Sequence, residues 1–110
     1  MSKNISFSYK DKDYVLEFTR RTVAELERLG FSVSDIETKP MTTIPTLFRG
    51  AFLAHHRFVK QELIDEIYNT MTDKQALLGK LAEMYNEPIE TLVEEPEEGK
   101  EGNVTWVASW

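Results

Sequence analysis

His55 and His56 are the only histidines in the chain, and Glu62, Asp65 and Glu66 follow them closely. A metal site here would join imidazole nitrogens to one or more of those carboxylates. Neighbouring residues on a helix point about 100° apart, so two adjacent histidines seldom reach one ion, and no H-E-x-x-H spacing is present. The expectation is a helix-end pair, one ring partly buried and the other solvated. The three acids form a second cluster. Paired carboxylates do acid–base work only where a pocket drives their pKa values apart. These lie opposite Leu63 and Ile67, on what reads as a solvated helix face. Gly30 and Gly50 match neither G-x-G-x-x-G nor a P-loop. Gly50 inside an apolar helix costs about 1 kcal/mol against alanine, which points to close approach of a neighbouring helix or strand. No cysteine is present, so thiolate catalysis and a disulfide framework are excluded. The expectation is a protein that is not an enzyme, with no catalytic, cofactor or metal residues.

Arg20-Arg21 suggest an anion site, but they open a helix, where the macrodipole disfavours cations. Pairing with Glu17, Glu25 or an acidic tail is the plainer account. Trp106 and Trp110 leave two readings open. The terminal segment folds back and the indoles plug a groove, or the indoles anchor a partner, as tryptophans do at interface hot spots. The candidate partner-binding residues are Phe48, Phe52, Trp106 and Trp110.

The elements that must position these residues are legible as periodicities. Ile5, Phe7 and Tyr9 alternate with serines, and Tyr14, Leu16 and Phe18 alternate again after Lys10-Asp11-Lys12-Asp13. This predicts a β-hairpin over 5–18. A lone hairpin is marginal in water, so its aromatic face must lie against helices or pair with strands of another chain. Thr22-Val23-Ala24-Glu25 has the capping-box pattern. With Val23, Leu26 and Leu29 inward and a Schellman stop at Gly30-Phe31, it predicts a helix over about 20–29. Ser34-Asp35-Ile36-Glu37 allow one further turn, ended by Pro40.

Ile44, Leu47, Phe48, Ala51, Phe52 and His55 fall on one helical stripe, predicting a core helix over 43–56 capped by Thr42 or Thr43, with Pro45 in its first turn. Leu63, Ile64, Ile67, Tyr68 and Met71 lie on a stripe displaced by about one residue. One straight helix cannot keep both stripes inward, so a break is expected near 56–60 and a second helix over 60–71. Thr72-Asp73-Lys74-Gln75 repeats the capping-box pattern before a helix over 73–86. Asn86-Glu87-Pro88 should end that helix, and Pro88 should begin a last one over 88–94. The fold class expected is α+β, mostly α: a hairpin packed on four to five short helices in one domain, 1–93. An acidic flexible linker and an aromatic C-terminal segment, 94–110, follow it.

The charge is uneven. Of the net −6, residues 87–101 contribute seven acids against one base, leaving the remainder neutral. Such a chain suits neither nucleic acid nor an anionic membrane surface, because both need clustered lysine and arginine. No apolar run approaches the ~18 residues of a membrane span. Residues 1–10 contain no apolar stretch resembling a secretory signal. A cytoplasmic protein is expected.

The whole chain resembles the tail assembly chaperones of long-tailed (siphovirus-type) phages and prophages of Gram-positive bacteria. The resemblance rests on F-S-Y-K-D-K-D-Y-V-L-E-F-T-R at 7–20, G-F-S-V-S-D-I-E-T-K-P-M-T at 30–42 and I-P-T-L-F-R-G-A-F-L-A-H-H at 44–56. It continues through L-L-G-K-L-A-E-M-Y-N-E-P-I-E-T-L at 77–92, the acidic stretch and G-N-V-T-W at 102–106. It implies a small, mostly helical, non-catalytic protein of the bacterial host cytoplasm. Such a protein binds the long helical tape-measure protein and keeps it soluble until the tail tube forms, with the tail tube protein as a further candidate partner. A minor tail or head–tail connector protein retained in the virion is the alternative. Self-association, as a homo-oligomer, is expected from the open hairpin edges and the strongly apolar helices.

Overall fold

The computed structural model describes residues 3–93 and 107–110. Chain order is β1 (Asn4–Tyr9), β2 (Lys12–Glu17), α1 (Arg20–Arg28), a 3-10 turn (Val33–Ile36), α2 (Pro40–Gly50), α3 (Gln61–Thr70) and α4 (Lys74–Leu92). The fold is mostly α with an N-terminal hairpin, as the sequence predicts. Of the acidic linker and aromatic segment expected over 94–110, residues 94–106 lie outside the described residues.

The strands pair antiparallel with Tyr9 opposite Lys12, Phe7 opposite Tyr14 and Ile5 opposite Leu16. The turn is therefore the two residues Lys10-Asp11, both at positive φ (48° and 65°). That is the turn whose twist matches a hairpin, and Lys12 and Asp13, expected in the loop, belong to β2. The aromatic face lies against the helices. Tyr14, Leu16 and Phe18 join Leu47, Phe48, Ala51, Phe52, Ile64, Ile67, Leu81, Met84 and Tyr85 in one core.

Helix α2 is the centre of this arrangement, touching α1, α3 and α4. The middle of its stripe is buried, from Leu47 at 0% exposure to Phe52 at 1%, while Ile44 is half-buried and His55, expected at the inward end, is exposed. Its bounds differ from 43–56. The helix starts at Pro40, whose missing N–H suits a first turn, and Pro45 falls inside it. It ends at Gly50 because the Ala51 carbonyl leaves the ladder to accept the Glu17 N–H of β2 at 3.0 Å. The chain continues in tighter turns, Phe52 N–H to Arg49 and Leu53 N–H to Gly50, and Ala51 and Phe52 stay inward past the helix end. A Cβ on Gly50 would sit 2.6 Å from Leu26 Cδ1 and 3.3 Å from Phe18 Cε1. The close approach is to α1 and to the residue following β2.

Three further boundaries are corrected. The N-cap of α1 is Thr19, and Thr22 is its reciprocal partner in the capping box rather than the cap. The Schellman stop forms as expected: Phe31 N–H donates to Leu26 and Gly30 N–H to Glu27, with Gly30 at φ 87°. Leu29 then lies outside, 78% exposed, and Phe31 takes its place against the Tyr85 ring at 5.2 Å. Asp73 caps α4 in the left-handed region (φ 49°) without a side-chain bond, so the capping box read at Thr72 is not made. Finally, α4 runs unbroken through Pro88 to Leu92. The ring of Pro88 is buried, and Arg20 grips the turn beyond it through a 2.9 Å bond to the Thr91 carbonyl. These contacts offset the helix bond that proline cannot make.

Candidate functional site

The histidine pair is built by the turns after α2. His56 is half-buried and His55 exposed. The Val15 N–H donates to His56 Nε2 at 3.0 Å, so that nitrogen is the bare one and the ring hydrogen sits on Nδ1. His55 Nε2 lies 2.7 Å from Glu17 Oε1. A carboxylate accepts only, so His55 donates from Nε2, which carries the ring hydrogen. The two rings thus face different partners, and neither pairs with Glu62, Asp65 or Glu66. Burial, then His55, then Lys12 push the His56 pKa below the ordinary histidine value, in keeping with a neutral acceptor. Among the described residues, no three of His, Asp or Glu are grouped to hold a metal ion.

The carboxylates are distributed rather than convergent. Asp65 accepts from Gln61 one turn back at 2.8 Å. Glu66 accepts from the Tyr9 hydroxyl and pairs with Lys10 at 2.9 Å. The Tyr9 hydroxyl, then Lys10, hold its carboxyl below the usual range, so it ties α3 to the hairpin as an anion. The Glu25 carboxylate takes both guanidinium nitrogens of Arg57, at 2.7 and 3.0 Å, rather than Arg20 or Arg21. Arg20 binds the Thr91 carbonyl of α4.

What remains is apolar surface. Between α2 and α3 a groove of about 330 Å³ is lined by Pro45, Phe48, Ile64, Asp65, Tyr68 and Asn69. Its apolar groups are spaced by the α2 stripe and the displaced α3 stripe. Phe48 forms the floor, with the Tyr68 ring edge-on at 5.1 Å. The Lys74 ammonium stands 5.5 Å from the centre of that ring. Asp65 and Asn69 supply a polar rim. A second apolar zone is the last turn of α4, where Ile89, Leu92 and Val93 are 41%, 64% and 85% exposed.

The structure separates the four candidate residues. Phe48 and Phe52 are each 1% exposed. Phe48 reaches a groove only as its floor, while Phe52 is enclosed by the rings of Phe7, Tyr14 and Phe48 and presents no surface in this conformation. Trp110 is fully exposed and fills no groove. Trp106 lies outside the described residues. Sequence reasoning passed over Phe58, which is 93% exposed, beside a cleft lined by Lys12, both histidines and Arg57. Its signal was present: an aromatic in the interruption between two stripes has no helical face to bury it. Tyr68 and Pro45 were likewise readable only as core or capping residues, because a groove between helices needs their separation as well as their faces.

Among the described residues, no helix is long and apolar enough to cross a membrane. No curated protein and no solved structure matches the chain. The family described as a domain of unknown function, DUF5055, matches residues 1–110. The chain therefore belongs to the DUF5055 family.

Proposed function

We propose that this protein is a phage tail assembly chaperone, a stoichiometric, non-catalytic binder that keeps the tape-measure protein soluble in the host cytoplasm. The observation that carries the reading is the α2–α3 groove. It has an aromatic floor at Phe48, apolar walls at Pro45, Ile64 and Tyr68, and a polar rim at Asp65 and Asn69. A groove of that composition receives one apolar face of an amphipathic helix, taking side chains at i, i+3 and i+4. The exposed Ile89, Leu92 and Val93 extend the apolar surface on another side. The excess negative charge of 87–101 keeps a complex with an apolar client dispersed.

The test is co-expression with the tape-measure protein of the same gene cluster, followed by tagged pull-down and measurement of the soluble client. The reading predicts soluble client that co-purifies only when this chain is present, and mature particles that lack the chain. Insoluble client, or the chain at fixed copy number in purified virions, would favour a retained tail or connector component instead.

A further inference from the structure

The two edges of the hairpin are finished differently. Residues 13, 15 and 17 of β2 and residues 4, 6 and 8 of β1 occupy the non-hydrogen-bonded pairs of the ladder. Their N–H and C=O groups therefore point away from the partner strand. On β2 these groups are used: Glu17 N–H donates to the Ala51 carbonyl and Val15 N–H to His56 Nε2. On β1 the groups of Asn4, Ser6 and Ser8 meet no partner among the described residues. The burial is uneven in the same sense. Tyr14 and Leu16 are 3% and 0% exposed, while Phe7 and Ile5 across from them, and Tyr9 on the same face, are only half-buried. The helical layer is centred under β2, and β1 projects at its margin.

Natural edge strands usually carry charge, proline or a bulge that blocks pairing. β1 reads Asn-Ile-Ser-Phe-Ser-Tyr and has none of these. We propose that the free edge of β1 pairs antiparallel with β1 of a second copy, about a two-fold axis at Ser6, to form a continuous four-stranded sheet. In that register Asn4 faces Ser8 of the second copy and Ser6 faces Ser6, so every outward N–H and C=O of the three residues finds a partner. A shift by two residues loses one of the three hydrogen-bonded pairs. Ile5 of each copy falls opposite Phe7 of the other on the half-covered face, so each chain covers the apolar surface the other leaves open. No charged side chain within the strand is set against its own copy. Lys3 and Lys10, just outside it, already have acids of their own chain, Glu83 and Glu66. A second copy fits because the edge is complementary to itself.

The experiment is sedimentation velocity on the full chain across a concentration series, with circular dichroism as the check on folding. Wild type should sediment as a dimer. Ser6→Pro removes only an outward N–H, a position an edge strand tolerates, and should be a monomer with an unchanged spectrum. Ser6→Lys and Ser6→Glu each place like charges directly opposite and should weaken the dimer by about tenfold or more. An equimolar mixture of the two should recover a heterodimer. A wild-type chain that stays monomeric throughout would overturn the proposal. So would Ser6→Lys and Ser6→Glu proteins that dimerise like wild type, or a mixture without recovery. If the wild type is monomeric alone and Ser6→Pro abolishes client capture, the edge takes a client strand and self-pairing is wrong.

Discussion

β1 and β2 have nearly the same pattern, an aromatic or aliphatic residue at every second position, yet they end in different environments. The outer edge of β2 is closed by the chain's own turns at 51–56, through the Ala51 carbonyl and the His56 ring, and its inward residues are almost fully buried. Among the described residues nothing closes the outer edge of β1, and its inward residues are half-covered. The difference lies in what passes beside each strand. The segment between α2 and α3 is therefore a structural part, closing one side of the two-stranded sheet and not the other.

The largest effect should come from removing the side chain that joins hairpin to helices. Phe52→Ala deletes a ring 1% exposed, packed on Phe7, Tyr14 and Phe48, and should cost about 3–5 kcal/mol in urea unfolding. A much smaller loss would mean the hairpin is not held through that ring. Next comes a matched pair of prolines. Val15→Pro removes the N–H that His56 accepts and should cost about 2–3 kcal/mol. Ser6→Pro, at the directly opposite residue of β1, should change the stability of the monomer little. Equal costs would dissolve the contrast between the edges.

Gly50→Ala should destabilise by about 1 kcal/mol. The new methyl meets Leu26 Cδ1 at 2.6 Å in a closed core, and overpacking of this kind outweighs the helix propensity gained. The smallest effect is a pH dependence. His56 has its pKa lowered in the fold, so the unfolded chain binds more protons there. Its contribution to stability is complete above the ordinary histidine value of about 6.5 and is lost as pH falls through the lower folded value. His56→Gln should flatten that part of the stability profile. An unchanged slope would remove His56 from the closed edge.

Much of this architecture was legible. Period-two alternation fixed both strands, the two displaced stripes located the break between α2 and α3, and Gly30-Phe31 marked the Schellman stop. What could not be read depends on contacts distant in sequence. The end of α2 at Gly50 is set by a carbonyl drawn to Glu17, and the passage of α4 through Pro88 by a guanidinium at residue 20. Periodicity also reports which side chains face inward, not whether they end as a groove floor or in a closed core. For this reason Phe48 and Phe52 looked alike in the sequence and differ in the fold. The groove beside Phe48 exists only because α2 and α3 stand apart at Pro45 and Tyr68.

The most direct test of the account is hydrogen–deuterium exchange on the full chain, alone and with the co-expressed tape-measure protein. Client held in the groove should slow exchange in the exposed turns of α2 and α3 around Pro45 and Tyr68, with the 51–56 segment unchanged. Exchange unaltered in both helices, or protection confined to the hairpin, would contradict it.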